Sequence, residues 1–380
     1  MATFAKASFD AAKYAQSRPS YPRALFDHVL AYLDQSSSYA LTQRPRTLLD
    51  LGCGPGVSTF DWLDLDRFER IVGVDPSENM ISAARGILRE KQEKGEIKPG
   101  VEVRFEKGGS DKLAGIVVDG SVDLAVAGQA AHWFDAETTY RELARVLKPG
   151  GAFAFWASQA VSLPSLNPLI TSYSSGTLGK YWQQPGRSIV EALLTSFPHP
   201  SSYSSEPSFD PSSFRRSFFL RPNGPPPPLS LPPLLDPPLP QAKGESATYS
   251  LLPASTSATA APLSVSITRN VLLTRRWKLE ELEGYLRTWS SAHAYNEAHR
   301  PSSSDSASND LPIGTQLSNA GHGGSAGQLK RDCVEVFLEA LRREGVEDLE
   351  TRDGGLDVGW EMGIVFGRKR EQFESYGECQ

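Results

Sequence analysis

The chain has 380 residues, 39% hydrophobic and 22% charged, with 32 Gly and 28 Pro. That is enough to bury a core in one large or two ordinary domains and excludes collagenous, coiled-coil and fully disordered classes. Lys+Arg 39 against Asp+Glu 45 leaves a net charge of −6 without a long basic run, so nucleic acid is not an expected partner.

In chain order, residues 1–45 carry "YAQSRPSYP" and read as an N-terminal lid segment. From 46 to 158, short apolar runs alternate with helical patterns, the signature of a mostly parallel sheet covered on both faces. The expected strands are "RTLLDLGCG", "FERIVGVDP", "VEVRFEKGG", "SVDLAVAGQ" and "GAFAFWAS". A helix capped by Ser77 follows the second, and another spans Asp135 to Leu147 before "KPGG".

Regularity fades after Ser158. Residues 159–198 read as a further lid segment. Ten of the nineteen positions from Pro222 to Pro240 are proline, and 199–262 reads as a polyproline-like or disordered insertion, a passive linker more than an SH3 or WW ligand. Residues 263–300 read as a strand and a lid helix, 301–327 as a second insertion rich in Ser, Asn, Asp and Gly, and 328–370 as a helix and closing strand. Without the two insertions, the length fits one decorated α/β domain.

Three distant cysteines, Cys53, Cys333 and Cys379, suit a reducing compartment and show no metal-ligand spacing. No apolar stretch approaches the ~20 residues that span a bilayer, and the start lacks a signal-peptide pattern. A cytoplasmic monomer without a membrane partner or a metal is the expectation.

The informative block is Asp50-Leu51-Gly52-Cys53-Gly54-Pro55-Gly56. Glycines after a buried strand allow a tight turn and a close approach of backbone to ligand. The third glycine falls one position early for a dinucleotide loop, and no Gly-Lys-Ser/Thr follows to make a Walker loop. A second acid, Asp75, ends the next strand, where it can accept hydrogen bonds from both hydroxyls of a ribose, while Asp50 would suit a cationic amino acid portion. A nucleoside joined to an amino acid without phosphates is S-adenosylmethionine. The competing reading is that each Asp merely caps a helix.

Asp50 to Gly56, within Leu49 to Ser158, resembles the core of class I S-adenosylmethionine-dependent methyltransferases. The resemblance implies a Rossmann-like, seven-stranded, mostly parallel sheet with a helical lid. It implies S-adenosyl-L-methionine held by Asp50, Gly52, Gly54, Gly56, Asp75, Met80, Ser110, Asp111, Gln129 and Ala130. Four further segments, "YAQSRPSYP", "AHWFD", "YWQQPGRS" and "LRTWSSAH", resemble the fungal trans-aconitate methyltransferase group, which esterifies a carboxylate of a small polycarboxylic acid. An anionic carboxylate attacks a methyl group without a strong base, so positioning suffices. The arginines inside these segments, Arg18, Arg187 and Arg287, with Tyr21, Tyr181, Trp182 and Trp289, are the expected clamp for an acidic substrate. His132 and Trp133 sit at the active edge. His132 would orient the acceptor, act as a base or simply pack, and His293 is a further pocket candidate. Rival readings are an O- or C-methyltransferase of a secondary metabolite or lipid-like acceptor, and a non-catalytic cofactor-binding protein recruited through the Pro-rich stretch.

Overall fold

The computed structural model describes residues 10–36, 46–159, 161–163, 166–203, 208–229, 231, 235–251, 262–299, 332–346 and 354–371. The elements are α1 (Ala11–Ser17), α2 (Arg23–Leu33), β1 (Thr47–Leu51), α3 (Val57–Asp61), β2 (Arg70–Asp75), α4 (Glu78–Glu93), β3 (Glu102–Lys107) and β4 (Val122–Gly128). Then come α5 (Ala136–Val146), β5 (Leu147–Ser158), α6 (Asn167–Thr171), α7 (Gly186–Glu191), β6 (Arg215–Phe219), β7 (Ser246–Leu251), β8 (Leu263–Thr268) and β9 (Leu273–Trp277). The last are α8 (Leu279–Arg287), α9 (Ser290–Ala298), α10 (Cys333–Arg343), β10 (Leu356–Trp360) and β11 (Met362–Arg368).

The main sheet runs β3-β2-β1-β4-β5-β11-β6-β8-β7, and a separate pair joins β10 to β9. β3, β2, β1, β4 and β5 are mutually parallel, and β11 lies antiparallel between β5 and β6. The inner parallel strands β1, β4 and β5 are near-continuous apolar runs because both faces are covered, as in Leu48, Leu49 and Leu51, whereas the edge strand β3 carries charged residues. One face receives α2, whose Leu25, Phe26, Val29 and Leu33 pack with Trp62 and Trp156. The opposite face receives α5, whose Tyr140, Leu143 and Val146 pack against Phe153 and Phe155. Both helices after the predicted caps start as expected: Ser77 accepts from the Met80 amide, and Asp135 from that of Thr138.

Nine strands replace the expected seven, and two of them, β6 and β7, fall inside 199–262, the stretch expected to lack regular structure. Both strands lie clear of the proline-rich run from Pro222 to Pro240. "RRSFF" at β6 pairs with β11 and β8, and "SATYSL" at β7 pairs antiparallel with β8, burying Tyr249. The intervening proline arm is tied down by Arg269, 0% exposed, which donates to the carbonyls of Pro240 (2.8 Å), Arg221 and Pro225 (3.1 Å each). The fully described part of this stretch is therefore a decorated sheet edge. The insertion expected at 301–327, and Cys379, lie outside the described residues.

Three expected single elements are each broken in two. "SVSITRNVLL" divides into β8 and β9, the helix from Lys278 into α8 and α9 at Thr288 and Trp289, and the closing strand into β10 and β11 at Glu361. The break at Glu361 lets β10 leave the main sheet for β9, which carries Leu273 and Trp360 to the site. Among the described residues no helix is long and apolar enough to cross a membrane, and no cluster of His, Cys, Asp and Glu could hold a metal.

Candidate active site

Ligands in open α/β sheets bind beyond the carboxyl ends of the parallel strands. Here the ends of β1, β2, β4 and β5 open onto a cavity of about 520 Å³. The loop after β1 is fixed to β2 by the Gly52 and Cys53 amides, which donate to the Val74 carbonyl at 2.7 and 3.1 Å. Gly52 has φ +68°, and a Cβ there would stand 2.4 Å from Cβ of Ala130. Gly54 has φ +56° and open space where a side chain would be, so the backbone itself forms the cavity wall. Gly56 lies off the cavity, at the N-terminus of α3.

Asp75 lines the cavity at the end of β2. One carboxylate oxygen accepts from the Gly54 amide (3.0 Å), the other from that of Ser77 (2.8 Å). Each oxygen keeps lone-pair capacity for a ligand hydroxyl. Met80, Ser110, Asp111, Gln129 and Ala130 also line it. Ser110 is held by Thr139 at 2.8 Å, and Gln129 donates its amide to the Ser158 carbonyl at 3.0 Å.

Asp50 differs from the expectation. It is 1% exposed, does not line the cavity, and accepts from Thr59 Oγ1 (2.6 Å) and Ser58 Oγ (3.2 Å) through one oxygen, while the other is buried without a partner. It braces the glycine loop from beneath. Burial pushes its carboxyl up to about 6, against the opposing pull of the two hydroxyls.

A smaller cavity of about 110 Å³ adjoins the first, and the two share Tyr14, Arg18, Gln129, Trp133, Ser158 and Tyr285. The three segments expected to form a lid meet here. Arg18 lies between the rings of Tyr14 (4.8 Å) and Tyr285 (5.0 Å), and its Nε is buried without a partner. Arg187 stacks on Trp182 at 4.0 Å and donates to Glu191 and to Ser174 Oγ, both at 2.8 Å. Trp289 packs on Trp182, while Tyr21 lines the larger cavity and meets Trp156 edge-on.

Two expected substrate residues do not reach either cavity. Arg287 is held by Glu283 (2.8 Å), Asp332 (3.1 Å) and Glu335 (3.8 Å), so its charge is spent on joining α8 to α10. Tyr181 packs against Tyr295 and His299 instead. His293 sits 3.4 Å from Glu297, also off both cavities. Trp133 lines both cavities and remains 41% exposed, at the mouth. His132 lines the smaller one. Burial lowers its pKa to about 4, so the ring is neutral at neutral pH, and its Nδ1 has no partner.

Leu273, Ser158 and Trp360 also line the larger cavity, and none was expected from sequence. Ser158 ends a central strand, so the strand-end rule would have found it. Leu273 and Trp360 arrive through the β9–β10 pairing, for which there is no local signal.

Residues 49–155 match the family model described as methyltransferase domain. The chain is similar to a probable S-adenosylmethionine-dependent methyltransferase of Saccharomyces cerevisiae, 28% identical over 188 residues, covering 48% of this chain and 59% of the relative. It is also similar to an uncharacterized methyltransferase of Schizosaccharomyces pombe, 29% identical over 205 residues, covering 52% and 73%. The alignments thus span about three fifths of the first relative's length and only about half of this chain. Among solved structures, a putative type II methyltransferase from Anaeromyxobacter dehalogenans superposes with a TM-score of 0.51 at 21% identity, covering 93% of this chain and 99% of that one, a likeness of fold. The cofactor of such a domain is S-adenosylmethionine, and the residues present fit it: the Gly54 backbone leaves open space, Asp75 offers a strand-end carboxylate, and Met80 adds an apolar wall.

Proposed function

We propose that the class I S-adenosylmethionine-dependent methyltransferase domain of this chain esterifies a carboxylate of a small polycarboxylic acid such as trans-aconitate. Bound in the larger cavity, the cofactor supplies an electrophilic methyl group carried on a sulfonium sulfur. The chain's own residues then have to bind an anion, orient one oxygen and exclude water.

The observation that carries the reading is Arg18. A guanidinium whose Nε is buried and unpaired, stacked between two tyrosine rings on the wall common to both cavities, is a costly arrangement unless an anion completes it. Arg187 lines the same small cavity as a second cation, already bonded to Glu191. A carboxylate needs no proton removed, which agrees with a His132 ring that burial keeps neutral. His132 and Trp133 are then positioning wall, His132 offering a neutral ring nitrogen to the acceptor. A second reading, methylation of an apolar hydroxyl or carbon acceptor, is favoured by one feature, the Leu273, Tyr285 and Trp360 wall of the larger cavity.

The test is incubation with labelled S-adenosylmethionine and a panel of di- and tricarboxylates, followed by mass spectrometry of the products. Monomethyl esters that form with wild-type protein and fall at least tenfold with Arg18→Gln support the reading. No ester from any acid, with methylation of a neutral acceptor, sinks it.

A further inference from the structure

A third cavity, about 360 Å³, lies on the far side of Arg187. It shares Gln159 and Arg187 with the 110 Å³ cavity and is roughly three times larger. Its outer wall is the run Pro225 to Pro228 of the proline arm. Prolines suit a fixed wall, since their φ is preset and they present no N–H that must be satisfied. The arm is not left to find its own position: Arg269, fully buried, is devoted to the carbonyls of Pro240, Arg221 and Pro225. A buried guanidinium bound only to main-chain oxygens is an expensive way to hold a surface loop, and it makes sense if the wall has to stay in place.

The charges facing this space are balanced. Arg187 meets Glu191 at 2.8 Å and Arg221 stands 3.9 Å from Glu361, so the cavity offers no surplus charge to a second anion. Apolar Val161, Ile170 and Leu220 and the hydroxyl-bearing Ser162, Thr171 and Ser175 line the remainder. This is a lining for an uncharged chain of mixed character.

We propose that the acceptor is an elongated acid, its carboxylate head beside Arg18 and its uncharged chain extending past Arg187 into the proline-walled cavity. This rests on the esterification reading and narrows it to acids that carry a tail. It also turns the proline arm from a linker into part of the substrate site.

The test uses the full chain with succinate and a series of 2-alkylsuccinates carrying butyl, hexyl and octyl chains. Binding is measured by calorimetry with S-adenosylhomocysteine present, and turnover by mass spectrometry. Affinity is expected to rise about tenfold or more from succinate to hexylsuccinate, since each buried methylene is worth several-fold. Ser175→Trp, and separately Thr171→Trp, should erase that rise while leaving cofactor and succinate affinity unchanged. Both sites are exposed, and thermal unfolding checks that each variant folds. Affinity flat with chain length in wild-type protein, or a rise that survives both tryptophans, overturns the proposal. The two readings separate cleanly: succinate esterified without any chain-length effect removes the tail site alone. Tryptophan-sensitive binding of long acids without ester formation removes esterification alone, and no acid binding at all removes both.

Discussion

Gly52→Ala probes the contact between the glycine loop and the end of β4. The added Cβ would stand 2.4 Å from Cβ of Ala130, about 1 Å inside ordinary contact, on a backbone with φ +68°. Left-handed φ costs a non-glycine residue about 1–2 kcal/mol, and forced overpacking a further 1–3 kcal/mol. A total of about 2–5 kcal/mol is expected, a drop in Tm on the order of 10 °C for a domain of this size. Because the loop lines the cofactor cavity, S-adenosylmethionine affinity should fall at least tenfold. The double variant Gly52→Ala/Ala130→Gly removes the clash but keeps the φ penalty, so it should recover the contact part and show a coupling of about 1–3 kcal/mol. Thermal unfolding and calorimetric titration of the cofactor measure both effects. Wild-type Tm and affinity in Gly52→Ala, or no relief from Ala130→Gly, would refute the packing argument.

Asp75→Ala leaves the Gly54 and Ser77 amides without their acceptor and should weaken cofactor binding more than tenfold, read by calorimetry, with Asp75→Asn intermediate. Arg287→Ala should leave KM for acids unchanged and lower stability by about 1 kcal/mol in urea unfolding, its ion pairs being partly solvent-screened; a raised KM would restore it to the substrate site. Burial pushes the Asp61 carboxyl up to about 7, so ionising it costs the folded state, and stability is lost as pH rises from about 4 through 7. Asp61→Asn should therefore gain on wild type across that window, by about 1–3 kcal/mol at pH 8 after allowing for partial exposure; a difference independent of pH would contradict this. His132 has the opposite sign: its pKa is depressed to about 4, so its contribution is present above the unfolded value and is lost as pH falls from about 6.5 through 4. His132→Gln should keep the wild-type shape of the pH–rate profile between pH 5.5 and 8, and loss of a limb near 6.5 would instead make the ring a titrating base.

What the sequence made legible was what local rules govern. Asp50 to Gly56 and Asp75 lie at strand ends within one contiguous stretch, so the alternation of strand and helix is enough to place them. Asp50 was nonetheless misplaced, because Ser58 and Thr59 turn it inward, and a side chain's choice of partner is invisible in spacing. Arg287 looked like Arg18 and Arg187 in its aromatic surroundings. Its three acidic partners differ from those surroundings in kind, and Asp332 lies 45 positions away. The strands at β6 and β7 were hidden by composition: the ten prolines between Pro222 and Pro240 set the character of the whole stretch and masked two proline-free runs beside them.

The position of β11 has a consequence for how the molecule is made. β5 ends at Ser158, and its outer neighbour begins at Met362, so some two hundred residues must be synthesised before that edge is paired. On the ribosome, β1 to β5 are free to assemble early, whereas β6, β8 and β7 join the sheet only through β11. Until then the nascent chain presents a long apolar edge, Phe153 to Ala157, of the sort that recruits chaperones or pairs with another copy. Termination just short of Met362 should therefore yield a product that aggregates although every cavity-lining residue named above has already been translated.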